Sequence, residues 1–215
     1  MSGISASQVS AQVKSGLVLL VDSVVEPRSA FRALAESPRM LVAIVGSTLC
    51  QLGMTLLFYT PNMRGVAILV NLAIAAIAKV FPIVVVTGWV WMAGLFVENR
   101  ARAQTVAAVV SYCMFAASIV TLIWTLIEAG LGVGQGSVLH PVYSNLAFLA
   151  PNDDFVMQRV GQTVDVLSFY HLVLLTIGTR ALFPARSWAW AVLVVWSGWA
   201  IYNGAGIVLK LFLTH

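Results

Sequence analysis

Lys79 raises the first chemical question, because it lies in the middle of the apolar run AAIAKVFPIVVV. A lysine at the centre of a membrane-spanning helix disfavours insertion by about 2.5 to 3.5 kcal/mol, so its side chain should face protein or water. Pro82 has no N–H group and therefore leaves the carbonyl of Ala78 without its helical hydrogen bond. Lys79 and this carbonyl together predict a polar position inside an apolar helix.

Other polar side chains are predicted at a similar depth in neighbouring apolar segments. Counting from the expected helix ends places His171, Asn203 and Ser118 near the layer of Lys79, while Asp165 lies shallower. We predict that these five residues form a polar cluster that opens toward the outer side of the membrane. Three explanations stay open: hydrogen bonds that hold helices together, each worth about 0.6 to 2 kcal/mol, a ligand or ion site, or a lysine that extends to the membrane surface.

Motifs of known catalytic or metal chemistry are missing from the sequence. It contains no Gly-rich phosphate loop after a strand, no His-Glu-x-x-His, no Gly-x-Ser-x-Gly and no paired carboxylates within an apolar segment. The glycine-rich stretch GLGVGQG (130–136) follows an apolar segment and indicates a loop. His140 and His215 have no companion ligands at metal spacing. The sequence therefore predicts a protein that is not an enzyme, has no catalytic residues and holds no cofactor or metal.

The composition is that of a membrane protein. Of the 215 residues, 60% are hydrophobic and only 9% are charged, which is too little polar surface to cover a soluble globule. The formal net charge of +4 is small, so we expect no nucleic-acid partner. Cys50 and Cys113 both lie in apolar runs, where thiols usually pack as small hydrophobic groups, and we expect no disulfide framework.

Five segments have the roughly 20 apolar residues that a transmembrane helix needs. They cover residues 40–60, 66–97, 105–129, 163–183 and 188–211, with one sizeable outer loop at 130–162. The sequence therefore predicts an all-α integral membrane protein in which residues 40–215 form a five-transmembrane-helix bundle. Small residues at helical spacing, such as Gly46 and Gly53, suit close helix contacts either within the chain or in a homo-oligomer.

The distribution of basic residues predicts the orientation, because Lys and Arg near span ends are retained in the cytoplasm. With the N-terminus inside, eight basic residues lie on the inner side: Lys14, Arg28, Arg32, Arg39, Arg100, Arg102, Arg180 and Arg186. Three lie on the outer side: Arg64, Arg159 and Lys210. We therefore expect a multi-pass protein with a cytoplasmic N-terminus and a C-terminus on the opposite side.

Residues 1–39 form a separate amphipathic region. Apolar residues recur at helical spacing, and after Pro27 the side chains of Phe31 and Leu34 share a face opposite two arginines. Proline suits a first helical turn, and Pro38 ends the helix before the first span. We predict helices on the cytoplasmic face of the bilayer, with Pro27, Phe31 and Leu34 as a surface for lipid or for a partner protein. The alternative is a partly ordered tail.

Three stretches of the sequence carry patterns of residues that point to a known family. The first is a Pro-x-x-Ala-Phe-x-x-Leu pattern followed by proline, made of Pro27, Ala30, Phe31, Leu34 and Pro38. The second is RAQTVAAVVSYCMFAASIV, with Tyr112, and the third is DVLSFYHLVLLTIGTRALF, with Asp165, Ser168, Leu172, Val173, Leu174, Ile177 and Gly178. Together they resemble the Yip (Ypt-interacting protein) domain family of five-span membrane proteins, and this resemblance implies five spans and a cytoplasmic N-terminus. The sequence lacks the long polar N-terminal region of eukaryotic relatives, which favours a bacterial inner (plasma) membrane protein with a periplasmic C-terminus.

Two functions follow from these observations. The resemblance implies a non-enzymatic accessory or scaffold protein that binds other membrane proteins, including an ABC-type exporter in an efflux assembly, within membrane lipids. The alternative is a small transporter or lipid-handling protein that uses the polar layer around Lys79. A water-filled cavity that reaches Lys79 would favour the second function, and a closed, dry bundle would favour the first.

Overall fold

The computed structural model describes residues 6–57, 66–97, 101–130, 157 and 165–213. These residues are all-helical, and seven helices follow one another along them. The helices are α1 (Ala6–Val25), α2 (Pro27–Glu36), α3 (Leu41–Leu57), α4 (Val66–Leu95), α5 (Ala103–Gly130), α6 (Val166–Leu182) and α7 (Trp188–Leu213). The predicted outer loop at 130–162 therefore lies almost entirely outside the described residues.

The five long apolar segments form five helices, α3 to α7, with ends a few residues from those predicted. Within the described part of the chain, two helices contain a stretch long and apolar enough to cross a membrane, namely Leu69–Leu95 and Ala103–Ile127. Helices α3 and α6 are apolar but have 17 residues each, at the short end of the range of about 17 to 25 residues for a span. The all-helical fold is confirmed, and the five-span arrangement stays a prediction.

Helix α5 is the centre of the bundle. It packs against α1, α2, α3, α4 and α6, and its buried side chains include Val106, Val109, Tyr112 and Cys113. The apolar stretch of α5 is 61% buried, whereas that of α4 is 6% buried. Helix α4 therefore lies at the edge of the bundle, and few of its described side chains are fully buried.

Glycines set the closest helix contacts. A Cβ on Gly178 of α6 would lie 2.7 Å from Cγ1 of Val109 and 3.1 Å from Sγ of Cys113, both in α5. Because a glycine has no side chain, the two helices approach closely at this point. Gly46 of α3 lies against the ring of Phe115 in the same way. Gly46 therefore allows a close contact between two helices of the same chain.

Helix α2 begins with Pro27 in its first turn and ends at Glu36. The side chains of Phe31 and Leu34 are both 0% exposed, and α2 packs against α1, α5 and α6. This corrects the expectation that Phe31 and Leu34 contact the bilayer or a partner. The chain itself covers this face, because Gly178 leaves room for the ring of Phe31 above α6.

Candidate functional site

Helices α3, α4, α5 and α6 surround a partly open pocket of about 240 Å³. Each of the four helices supplies at least one polar side chain to its wall: Gln51, Lys79, Ser118, Thr121, Asp165 and His171. Polar walls are unusual in an otherwise apolar bundle, since a polar group that faces neither water nor a partner is costly. The pocket is therefore the candidate functional site of the described part of the chain.

The pocket brings together four of the five residues of the predicted polar cluster: Lys79, His171, Ser118 and Asp165. Asn203 is the exception. Its Nδ2 donates a 2.9 Å hydrogen bond to the carbonyl of Trp199 in its own helix, and it does not line the pocket. Counting residues from a helix end gives the height of a side chain but not the direction in which it points, which explains the error for Asn203.

Lys79 borders the pocket from the edge helix α4. Its ammonium group lies within electrostatic range of the Cys50 thiol in α3 and of His171 in α6. No hydrogen bond or ion pair connects it with another residue of the described ranges. The positive charge therefore faces the pocket without a counter-ion from this part of the chain.

His171 carries the second polar group without a partner. Its Nε2 atom is buried and makes no hydrogen bond to any residue that the structure describes. A buried nitrogen without a hydrogen-bond partner lowers the stability of the folded protein by about 1 to 3 kcal/mol, so such groups are rare and need an explanation. His171 lines the pocket, so a turn of its side chain would let Nε2 form the missing hydrogen bond with a ligand there.

Asp165 has a structural role as well as a place in the pocket wall. It is the N-cap of α6, where its backbone is extended and its Oδ1 accepts a 3.1 Å hydrogen bond from the N–H of Leu167. Aspartate is a favoured N-cap because this bond satisfies a free backbone donor. The second carboxylate oxygen makes no hydrogen bond within the described residues and remains able to accept one.

Two hydroxyl groups of α5 that line the pocket donate to their own helix. Ser118 Oγ donates to the carbonyl of Met114 at 2.6 Å, and Thr121 Oγ1 donates to that of Ala117 at 2.9 Å. A hydroxyl that donates in this way still has lone pairs that accept hydrogen bonds. Ser118 and Thr121 can therefore act as acceptors toward the pocket.

Gln51, Thr121 and Trp124 also line the pocket, and the sequence reasoning did not single them out. Each is a polar or amphipathic residue within an apolar segment, which is a signal visible in the sequence. Among the residues that the structure describes, no group of three or more His, Cys, Asp or Glu side chains could hold a metal ion.

The other predicted surface is separate from the pocket. Phe31 packs beside Gly178, which lies seven residues after His171 in α6, or roughly 10 Å along the helix axis. Leu34 is buried in the same core. Pro27 lies in the first turn of α2 and does not line the pocket.

No protein-family model, no curated protein and no solved structure matches this chain. The Yip-type assignment therefore stays a prediction from the three sequence patterns.

Proposed function

We propose that this chain is a multi-pass membrane protein that binds a small polar molecule in the Lys79 pocket, as a small transporter or a lipid-handling protein. The observation that carries the proposal is the pocket itself, which joins a lysine from an apolar helix with polar side chains of three other helices. A lysine that only holds helices together is expected to be paired, because a buried unpaired charge is costly. Lys79 borders open space instead.

Access of water to the pocket tests this proposal. In a background where Cys50 and Cys113 are replaced by alanine, Thr121→Cys should react with a water-soluble thiol reagent, because Thr121 lines the pocket. The matched control is Ser111→Cys, on the same helix but fully buried outside the pocket, and it should not react. If the pocket cysteine is inert while Gly130→Cys at the end of α5 reacts, water does not reach the pocket and the proposal fails.

The proposal includes five spans, a cytoplasmic N-terminus and the plasma membrane of a bacterium, as the Yip-type resemblance implies. It is supported by basic residues that meet at one end of the bundle. The guanidinium carbons of Arg28 in α2 and Arg180 in α6 lie 5.7 and 5.9 Å from the ring centroid of Trp188 in α7. Such cation–π contacts stabilise cationic side chains near a membrane surface, and the basic end is expected in the cytoplasm.

Labelling of intact cells tests the orientation. In the same cysteine-free background, Ser37→Cys lies at the predicted cytoplasmic end and Gly130→Cys at the predicted outer end, and both positions are exposed. A reagent that does not cross the membrane should label only Gly130→Cys, and both variants should be labelled after lysis. Labelling of Ser37→Cys alone in intact cells would reverse the orientation.

A second candidate function is that of an accessory protein for a membrane partner such as an efflux assembly. The observation in its favour is α4, whose apolar stretch is only 6% buried. An exposed stripe runs along it, formed by Ile74, Ile77, Phe81 and Val84, and a partner helix could cover this stripe in place of lipid.

Co-purification tests this candidate. A partner should co-purify with the wild-type protein and be lost with Ile77→Ala and Phe81→Ala. Leu193→Ala, an exposed apolar position in α7, should retain it. A partner that all variants retain would exclude the α4 surface.

A further inference from the structure

We propose that the ligand of the Lys79 pocket is zwitterionic, with an anionic group that binds Lys79 and an amino group that binds Asp165. This inference rests on the proposed function and names the chemical class of the ligand. Three observations support it: the charges of the pocket wall, the hydrogen-bonding groups beside these charges, and the size of the pocket.

The pocket wall carries two opposite charges that do not neutralise each other. Lys79 and Asp165 both line it, and both belong to the described residues, yet no ion pair joins them. Neither charge has a counter-charge among the described residues, so each favours one from the ligand. A ligand with a single charge would satisfy one of them and leave the other, whereas a zwitterion satisfies both.

Lys79 defines the anionic end of the ligand. An ammonium group binds a carboxylate or a phosphate oxygen through a charge-assisted hydrogen bond. His171 lies within electrostatic range of Lys79, and its buried Nε2 lacks a partner among the described residues. Once the side chain turns toward the pocket, the imidazole with hydrogen on Nε2 donates a second hydrogen bond to the same anionic group.

Asp165 defines the cationic end. One carboxylate oxygen caps α6, and the second is left to accept a hydrogen bond from an ammonium group. The hydroxyls of Ser118 and Thr121 donate to their own helix, so toward the pocket they act as acceptors, as an ammonium group requires. Trp124 also lines the pocket, and an indole ring is a favourable neighbour for a cation.

The size of the pocket limits the ligand to a small group. Its volume of about 240 Å³ is below the roughly 300 to 1,000 Å³ of sites for drug-sized molecules. Two sources offer an anionic group and an amino group a few atoms apart at this size: a free α-amino acid, and the phosphoethanolamine headgroup of a lipid. The first would make the protein a solute transporter, and the second a lipid-handling protein.

Thermal stability of the full chain in a non-ionic maltoside detergent distinguishes these cases. The probes are pools of the twenty α-amino acids and short-chain phosphatidylethanolamine. The single-charge analogues are short-chain phosphatidylglycerol and sodium acetate, with one negative charge, and ethylamine, with one positive charge. We expect one zwitterionic probe to raise the midpoint of unfolding in a dose-dependent way, and the single-charge analogues to do so at much higher concentration or not at all. The active probe identifies the source of the ligand.

Two pocket variants and one control complete the experiment. Lys79→Met and Asp165→Asn should each weaken binding roughly ten- to a hundredfold, because each removes one charge-assisted hydrogen bond. Asparagine is as good an N-cap as aspartate, so Asp165→Asn keeps the start of α6 intact. Asn203→Ala, outside the pocket, should bind like the wild type.

Two results would overturn the inference and leave the proposed function standing. One is binding of phosphatidylglycerol or acetate as tightly as the zwitterionic probes, with no effect of Asp165→Asn. The other is the absence of a response to every zwitterionic probe while Thr121→Cys still reacts with the water-soluble reagent. If Thr121→Cys is inert as well, the proposed function fails together with the inference.

Discussion

The indole Nε1 of Trp89 in α4 donates a 2.8 Å hydrogen bond to the backbone carbonyl of Val194 in α7. Ser197 Oγ donates to the same carbonyl at 3.2 Å, so this oxygen accepts two side-chain donors. The approach depends on Gly198, where a Cβ would lie 2.6 Å from both Cδ1 and Nε1 of the indole ring. This arrangement ties the last helix of the bundle to the exposed edge helix.

The substitution Gly198→Ala should destabilise the protein by about 1 to 3 kcal/mol, because the new methyl group pushes the ring of Trp89 away from the Val194 carbonyl. The loss should exceed the gain of about 1 kcal/mol that alanine gives in a helix. Thermal unfolding in detergent measures the difference. Gly206→Ala in the same helix is the control, since a Cβ there meets nothing within 4 Å, and it should be neutral or slightly stabilising. Equal midpoints for both variants would refute the packing of Trp89 on Gly198.

The buried face of α2 gives a second prediction. Leu34→Ala removes a side chain that is 0% exposed and should cost about 2 to 5 kcal/mol of unfolding free energy, because it leaves a cavity. Arg32→Ala, on the exposed face of α2, should change it by less than about 0.5 kcal/mol. Both values come from thermal or denaturant unfolding in detergent. If Leu34 contacted only the bilayer, the two variants would be equally stable in detergent micelles.

The sequence predicted the helices well, because their signals are local. Runs of apolar residues predicted α3 to α7, and Pro27 and Pro38 bracket α2, which ends at Glu36. The sequence did not predict what covers Phe31 and Leu34, because a pattern of apolar positions shows that a face is buried but not by what. The cover depends on Gly178, more than 140 residues away in the chain.

The candidate site was predicted in the same uneven way. Lys79, His171, Ser118 and Asp165 meet at one pocket, because charged and polar residues are rare in apolar helices and tend to gather. Asn203 was predicted to join them and does not. Helix α7 is apolar around most of its circumference, so its sequence contains little information about which side faces its neighbours.

Tyr112, in the second Yip-like stretch, connects α5 with α1. Its hydroxyl donates a 3.3 Å hydrogen bond to the carbonyl of Gly16, and its ring is fully buried. Tyr112→Phe keeps the ring and removes this bond, so it should cost about 0.5 to 1.5 kcal/mol of unfolding free energy. Tyr202→Phe, at an exposed position in α7, is the control and should be neutral. Identical unfolding curves for both variants would show that the hydroxyl contributes nothing to the contact between α1 and α5.

The substitution Lys79→Met gives the last prediction, and it separates a structural lysine from a ligand-binding one. Methionine fills a similar volume and removes the cost of keeping a charge inside an apolar bundle, so the ligand-free variant should be at least as stable as the wild type. The expected gain in unfolding free energy is between zero and about 4 kcal/mol. Thermal unfolding in detergent without added ligand checks this.

Arg102→Met is the matched control, since it removes a positive charge at an exposed position outside the pocket and should change stability by less than about 0.5 kcal/mol. A lysine that holds α3, α4 and α6 together through polar contacts would behave differently. Its loss would leave those groups unpaired, and Lys79→Met would then unfold well below the wild type. The predicted combination is therefore a stable variant that no longer binds the ligand, which a purely structural lysine could not produce.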